Sequence, residues 1–189
     1  TKVVGDAGVT VAKRADIPIT TGNSYSASAA LWAAHDAVRR LGLAQLDRKG
    51  KVQGKAMVVG ATGAIGSACA RLLAQAVEEV YLVSIESSKL FTLKESILRD
   101  TPDARLHLAA KTDEFLPEMD MIVTATSGAG KKILDITRVK PGCVITDVAR
   151  PLDLPPSEVA KRPDVLVIES GEILLPGEHV RMRNIGLPP

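Results

Sequence analysis

Residues 58–68 read VVGATGAIGSA, so three glycines follow an apolar run at intervals of three. Residues 56–60, which contain that run, have the length and the β-branched content of a short buried strand. Residues 64–77 lack proline and place small and apolar side chains at helical spacing. The glycines therefore mark a turn from a strand into a helix, where backbone N–H groups can face a phosphate.

The spacing G-x-x-G-x-x-G is a close variant of the dinucleotide-binding fingerprint. In this interpretation Gly60 allows the tight turn, Gly63 lets the backbone approach a pyrophosphate, and Gly66 lets the helix pack close to the sheet. The alternative is an ordinary strand-to-helix turn, and the strands predicted further along the chain favour the dinucleotide. The predicted cofactor-binding residues of this turn are Gly60, Ala61, Thr62 (as a hydroxyl donor), Gly63, Ala64, Ile65 and Gly66.

Strands and helices alternate along the rest of the chain. The strands are predicted at residues 56–60, 80–85, 105–109, 120–127, 142–149 and 165–170. This alternation predicts an α/β fold, a Rossmann-type doubly wound parallel sheet with right-handed connections. A long helix is predicted before the sheet, with an apolar stripe and a stop at Gly42. The stripe consists of Ala29, Leu31, Trp32, His35, Val38 and Leu41.

The composition narrows the class of protein. Hydrophobic residues make up 46% of the chain and aromatic residues only 3%, so the core must be aliphatic, as is typical of parallel sheets. A net charge of +2 argues against a nucleic-acid partner, and no apolar stretch is long enough to span a membrane. Cys69 and Cys143 predict reduced thiols in a cytoplasmic protein. No metal site is predicted, and the oligomeric state, a homo-oligomer included, is left open.

Three segments are expected. Residues 1–50 are interpreted as an N-terminal segment and connecting helix, the remnant of a missing domain, with a polar linker at 44–54. Residues 51–171 are expected to form the NAD(P)-binding domain, and residues 172–189 a truncated C-terminal extension. Because the chain starts inside an apolar pattern and stops at Pro-Pro, we expect an excerpt from a longer polypeptide.

The end of the second predicted strand should distinguish NAD from NADP. Ser84 or Glu86 falls where the ribose-reading residue belongs, about twenty residues past the fingerprint. A carboxylate at Glu86 would bind the ribose hydroxyls and repel a 2′-phosphate, which favours NAD. Two alternatives stay open: a solvated Glu86 at the start of a helix, and a 2′-phosphate held by Ser84, Ser87, Ser88 and Lys89.

Small side chains also end the fourth predicted strand. They would let a nicotinamide ribose lie against the backbone at the carboxyl edge of the sheet. These predicted cofactor-binding residues are Thr124, Ala125, Thr126 and Ser127. At the same edge, Arg150 could meet an anionic group or pair with Asp147 or Asp153.

Four stretches carry a resemblance to a known family: TTGNSYSA (20–27), KAMVVGATGAIGSACARLL (55–73), KPGCVITDVARP (140–151) and VLVIESGEI (165–173). They resemble the long-chain acyl-[acyl-carrier-protein] reductases known from cyanobacteria, over about residues 19–171. More distantly, the helix followed by the fingerprint resembles shikimate dehydrogenases and methylene-tetrahydromethanopterin dehydrogenases. The resemblance implies NADPH-dependent reduction of an acyl thioester to an aldehyde through a cysteine acyl-enzyme.

The family's nucleophilic cysteine falls in the stretch that matches residues 171–182, which here contains no cysteine. Pro176 or Val180 occupies the best-matching position. His179, beside Glu178, is then a candidate proton donor or base, and Asn23 a candidate for facing the cofactor crevice. A surface histidine and a plain helix-capping asparagine are the alternatives.

These patterns predict an NAD(P)-dependent oxidoreductase, or its cofactor-binding domain. Its substrate would be a small molecule at the carbonyl level, such as a fatty acyl thioester or aldehyde. The alternative is a sensor, epimerase or lyase domain that binds NAD(P) without net redox turnover.

Overall fold

A computed structural model describes residues 8–19, 22–48, 50–128 and 132–170 of the chain. The strands within these ranges are β1 (Gln45–Leu46), β2 (Val52–Val59), β3 (Val77–Val83), β4 (Arg105–Ala109), β5 (Met121–Thr124), β6 (Val144–Asp147) and β7 (Leu166–Glu169). The helices are α1 (Val9–Arg14), α2 (Asn23–Leu41), α3 (Ala64–Ala76), α4 (Ser87–Asp100) and α5 (Pro156–Val159). Short 3₁₀ turns occupy Leu116–Glu118 and Ile136–Arg138.

The strands form one sheet in the order β4-β3-β2-β5-β6-β7, and all of these neighbours are parallel. β1 adds an antiparallel pair on β2. Counted from β2, this is the 3-2-1-4-5-6 order of the dinucleotide-binding fold, which reverses direction beside β2. The predicted Rossmann-type parallel sheet is confirmed.

Side chains alternate between the two faces of the sheet, and different structures cover each face. Val58 and Val123 face α2, α3 and α4, while Met57 and Ile122 point to the other side. There the core is closed by the two 3₁₀ turns, α5 and the loops around them. Because the central strands are buried on both faces, they read as continuous apolar runs in the sequence.

The predicted apolar stripe of the long helix was partly wrong. α2 ends at Gly42 as predicted, where the left-handed φ of 62° suits glycine. Its buried face, however, consists of Ala27, Ala30, Leu31, Ala34 and Val38. Trp32 is 79% exposed and Leu41 60% exposed. Alanines let α2 approach α3 closely, so the bulky side chains lie outside that contact.

The predicted polar linker at 44–54 was also wrong, because these residues contain β1 and the start of β2. Val52 is buried in the core that α2 shares with the sheet, while its neighbour Gln53 is exposed. That alternation is the signal of a strand with one covered face. The division into segments at residues 50 and 171 stays a prediction.

Other strand limits moved by a few residues. β3 begins at Val77, three residues before the prediction, and β5 and β6 end earlier, at Thr124 and Asp147. Apolar residues continue beyond the last ladder pair of β5 and β6, so hydrophobicity alone overestimates strand length there. Within the described ranges, none of the helices has the length and apolar character needed to cross a bilayer.

Candidate functional site

The first glycine of the fingerprint makes the turn that leaves β2. Gly60 has a φ of 82°, a left-handed conformation that glycine adopts without strain. Its N–H and that of Ala61 donate to the Val83 carbonyl, at 2.9 and 3.1 Å. A Cβ at Gly60 would lie 2.7 Å from the Ala125 oxygen. The turn is thus tied to β3 and packs against the loop after β5.

The other two glycines differ in what surrounds them. Gly63 precedes the first residue of α3 and is exposed, and a Cβ there would lie 3.3 Å from the Gly60 oxygen. At Gly66 the same distance would be 2.1 Å, so only glycine lets α3 pack on the turn. The first-turn N–H groups of α3 have no intrahelical acceptor, and no acidic side chain lies among them. This helix end can therefore receive an anion.

A cleft of about 840 Å³ opens at the carboxyl ends of β2, β3, β4 and β5. Its walls are residues 59–60, 62–63, 83–86, 110–113, 125–128 and 132–133. It lies where the strand order reverses, which is where sheets of this type bind ligands. The sequence-predicted residues that line it are Gly60, Thr62, Gly63, Ser84, Glu86, Ala125, Thr126 and Ser127.

Glu86 lies at the rim of the cleft and is fixed by three polar contacts. The Thr62 hydroxyl donates to Glu86 Oε2 at 2.7 Å and lies 2.8 Å from Ser84 Oγ. Lys89 Nζ forms an ion pair with Glu86 Oε1, and the Glu86 N–H donates to Ser84 Oγ at 3.2 Å. Lys89, and after it Thr62, hold the pKa of Glu86 below its usual range. Glu86 is therefore a charged carboxylate at neutral pH.

Across the cleft, the loop after β5 is held from below by an acid. Thr126 donates its N–H to Asp153 Oδ2 at 3.1 Å and its hydroxyl to Asp153 Oδ1 at 2.6 Å. Thr126 Oγ1 in turn accepts from the Gly128 N–H at 3.0 Å. Burial raises the pKa of Asp153, and the two hydrogen bonds from Thr126 oppose that rise.

The remaining predicted residues lie outside the cleft wall. Ala61, Gly66 and Thr124 are buried, Ile65 is half-buried and Ala64 is exposed. The Thr124 hydroxyl is enclosed without a hydrogen-bond partner. Asn23 begins α2, half-buried, and is not part of the wall. His179 and Glu178 lie outside the described residues.

Two other predicted roles meet different partners. Arg150 pairs with Glu169, with 3.3 Å between Nη2 and Oε1, rather than with Asp147 or Asp153. Cys69 and Cys143 are fully buried, and burial raises the pKa of each thiol to about 12. Thiols in that state are not nucleophiles at neutral pH.

Sequence reasoning missed part of the cleft wall. Ile85 is 90% exposed at its rim, and residues 110–113 after β4 close its far side. The signal for 110–113 was present, because ligands bind at the carboxyl ends of parallel strands and β4 is one of them. No local pattern marked Asp153 as a partner of Thr126, since 27 residues separate the two.

A family model described as "Semialdehyde dehydrogenase, NAD binding domain" matches residues 55–168. The chain belongs to this family. The match runs from β2 to β7 and includes the glycine turn, Glu86 and the loop after β5. As a semialdehyde dehydrogenase NAD-binding domain, the chain takes NAD or NADP as its cofactor and is of the dehydrogenase or reductase type.

A curated relative is the aminotransferase PigE of Serratia sp. (strain ATCC 39006). It is 28% identical over 174 residues, which are 90% of this chain and 19% of that protein. The chain therefore spans about a fifth of the relative's length.

Solved structures share the fold of this NAD-binding domain. Quinate dehydrogenase from Corynebacterium glutamicum, in complex with NAD, has a TM-score of 0.56 at 18% identity, covering 80% of this chain and 51% of that one. The 5-ketofructose reductase of Gluconobacter sp. strain CHM43 has a TM-score of 0.53 at 19% identity, covering 77% and 51%. A dipicolinate synthase subunit from Bacillus halodurans has 0.53 at 13% identity, covering 89% and 54%. The chain thus spans about half the length of each.

Proposed function

We propose that this domain serves an oxidoreductase that moves a hydride between NAD, rather than NADP, and an aldehyde-level substrate. The observation that carries the proposal is Glu86, a charged carboxylate held by Thr62 at the rim of the cleft beside the glycine turn. The substrate class we propose is a fatty acyl thioester or its aldehyde.

The cleft fits a dinucleotide in shape and in polarity. Gly60 and Gly63 carry no Cβ where the backbone would meet a pyrophosphate, and the N-terminus of α3 supplies free N–H groups. Ile85 offers an exposed apolar surface for the adenine beside residues 110–113. Ala125 and Ser127 would flank the nicotinamide ribose. When bound, the nicotinamide supplies the hydride donor or acceptor.

The preference for NAD follows from charge. A carboxylate accepts hydrogen bonds from two ribose hydroxyls but repels a 2′-phosphate. Lys89, the cation nearest along the chain, is paired with Glu86, so a phosphate would have to break that pair as well. This choice differs from the NADPH use that the acyl-[acyl-carrier-protein] reductase resemblance implies.

The aldehyde-level substrate has three supports. The family's own description names semialdehyde dehydrogenases. The reductase resemblance implies an aldehyde product. PigE is named an aminotransferase, and aminotransferases exchange an amino group with a carbonyl compound, so an aldehyde would connect the two activities in one chain.

Covalent chemistry needs a group outside the described residues. Cys69 and Cys143 are buried thiols with raised pKa, away from the cleft wall. Thioester reduction through an acyl-enzyme would therefore require a nucleophile supplied elsewhere, whereas direct hydride exchange with an aldehyde would not. The catalytic roles of His179 and Asn23 stay predictions.

The first test is a parallel fluorescence titration with NADH and with NADPH. We expect the wild-type chain to bind NADH at least about tenfold more tightly. Glu86→Gln should reduce that ratio severalfold by removing the charge. Glu95→Gln removes an exposed charge from α4, remote from the rim, and should leave the ratio unchanged. Tighter binding of NADPH by the wild type would contradict the NAD assignment.

The second test is turnover. Oxidation of NADH on addition of medium- and long-chain aldehydes would support the oxidoreductase. Saturable cofactor binding with no turnover of any aldehyde would instead favour the sensor, epimerase or lyase alternative.

A further inference from the structure

We propose that Asp153 is a positioning residue for the cofactor site: its carboxylate fixes the loop of residues 125–128 that lines the cleft. The inference rests on the proposed function, since it assigns that loop to the nicotinamide side of a bound dinucleotide. Asp153 itself is not part of the cleft wall and would act through Thr126.

The contact uses both carboxylate oxygens. Asp153 is only 6% exposed, and each of its oxygens accepts one hydrogen bond from Thr126, at 3.1 Å from the N–H and 2.6 Å from the hydroxyl. The hydroxyl then accepts from Gly128, so the chain of bonds runs two residues further along the loop. A carboxylate that leaves water for two donors on one residue restricts that residue's orientation strongly.

A second buried acid holds the segment that carries Asp153. Asp147, at the end of β6 and 1% exposed, accepts from the Ala149 N–H at 3.0 Å and from the Leu154 N–H at 2.9 Å. Both ends of the intervening turn are therefore anchored to the last residue of β6. Asp153 is fixed in space before it binds Thr126.

The loop that Asp153 holds lies directly against the glycine turn. Ala125 donates its N–H to the Val59 carbonyl at 2.9 Å, and its oxygen lies at the surface of Gly60. Ala125, Thr126, Ser127 and Gly128 all line the cleft. A shift of this loop would change the space beside the turn, so Asp153 links β6 to the cofactor site across the sheet's carboxyl edge.

Variants of Asp153 test this role with two readouts. Hydrogen exchange of a peptide containing residues 121–128 reports the order of the loop, and NADH titration reports the site. Asp153→Ala should speed exchange of the Thr126 and Gly128 amides at least about tenfold and weaken NADH binding about tenfold. Asp153→Asn should restore most of both, because an amide can accept from the Thr126 N–H and donate to its hydroxyl.

The matched control is Asp120→Ala, at the opposite end of β5. Asp120 also accepts a long-range hydrogen bond, from the Lys55 N–H at 2.9 Å, and pairs with Lys140. Its loss should lower thermal stability without changing NADH affinity. If Asp153→Ala fails to fold, Thr126→Val removes only the hydroxyl contact, and Thr126→Ser keeps it.

The outcomes separate the two proposals. If the wild type binds NADH and Asp153→Ala, or Thr126→Val in its place, binds it equally well, the positioning role is overturned and the proposed function stands. Unchanged exchange of residues 121–128 overturns it too. If the wild type binds neither NADH nor NADPH, the proposed function fails and the positioning of a cofactor fails with it.

Discussion

At the residue scale, the glycine turn combines two different requirements. Gly66 is buried where a methyl group would lie 2.1 Å from a backbone oxygen, while Gly63 faces the cleft with 3.3 Å available. The first requirement belongs to the fold, because neither backbone can move without separating α3 from β2. The second belongs to the site, because the space beside Gly63 is the space a ligand would take.

Gly66→Ala should therefore destabilise the protein by at least about 2 kcal/mol. The added methyl group collides with the Gly60 carbonyl, which is held in the turn by its neighbours. Urea denaturation measures the loss. A free energy of unfolding within about 0.5 kcal/mol of wild type would contradict the close packing of α3 on the turn.

Gly63→Ala should have the opposite profile. Its backbone, at φ −73° and ψ 167°, suits alanine, so the melting temperature should change little. NADH binding should weaken at least about tenfold, because the methyl group projects into the cleft. Calorimetry and titration on the same sample separate the two effects, and unchanged affinity would argue against a pyrophosphate at this turn.

Two acids with the same contact pattern should respond to pH with opposite sign. Asp153 and Asp135 each accept the N–H and the hydroxyl of one threonine. Burial raises the pKa of Asp153 above 3.8, so its contribution to stability is greatest below that value and falls as the pH rises through the folded-state pKa. Thr137 holds the pKa of the exposed Asp135 below 3.8, so its contribution is present above 3.8 and is lost as the pH falls.

The asparagine variants make this measurable. Relative to wild type, Asp153→Asn should gain stability between about pH 4 and about pH 7, and Asp135→Asn should lose it. Thermal unfolding across this range gives both slopes. Parallel slopes for the two variants would show that burial does not govern Asp153.

At the scale of elements, α2 is an integral part of the sheet's cover. Three of its alanines are buried, and α2 packs beside α3 in the same core. Close helix contacts of this kind depend on small side chains. The adjacent residues Ala33 and Ala34 lie on opposite sides of that boundary, one exposed and one buried.

Ala34→Leu should cost about 1–3 kcal/mol, because the larger side chain has no space between α2 and the structures beneath it. Ala33→Leu, one residue earlier, should change stability by no more than about 0.5 kcal/mol. Denaturant midpoints compare the two. Equal effects would contradict the burial of Ala34.

The sequence predicted the elements with a strong period and missed those whose limits depend on neighbours. The glycine turn, α3, α4 and the parallel strands follow from apolar runs and helical spacing. The orientation of α2 does not, because a helix rich in alanine has no dominant apolar stripe, and Trp32 misleadingly supplies one. β1 is two residues long and forms only because β2 is beside it.

The site divides in the same way. Gly60, Gly63, Ser84 and Glu86 follow from the order of strand, turn and helix, which fixes their places along the chain. The Asp153–Thr126 contact joins two loops after different strands, and no local pattern records which loops will meet. Ile85 escaped notice because an apolar residue after a strand reads as core, although here it is exposed.

At the scale of the whole molecule, the two edges of the sheet carry different surfaces. The cleft lies at the carboxyl edge. At the amino edge, a groove of about 910 Å³ runs between α2 and α3 over the first residues of β2, β3 and β5, with Trp32 and Leu72 on its rim. Both residues are exposed hydrophobic side chains.

Because the groove and the cleft lie at opposite edges, Trp32→Phe should leave NADH affinity within about twofold of wild type. As Trp32 is the only tryptophan of the chain, its emission should be strongly quenched by acrylamide in the free protein. Protection of Trp32 from acrylamide on addition of NADH would contradict this separation.

The strand order also has a consequence for how the chain acquires its structure during synthesis. Val52 pairs with Val77, so β2, β3 and β4 can join while the ribosome is still translating the second half. The other side of β2 waits for β5, where Ala56 meets Met121. Until then the most apolar strand of the molecule presents an open row of N–H and C=O groups. The interval between those two pairings is when a nascent chain of this design is most exposed to aggregation and most in need of a chaperone.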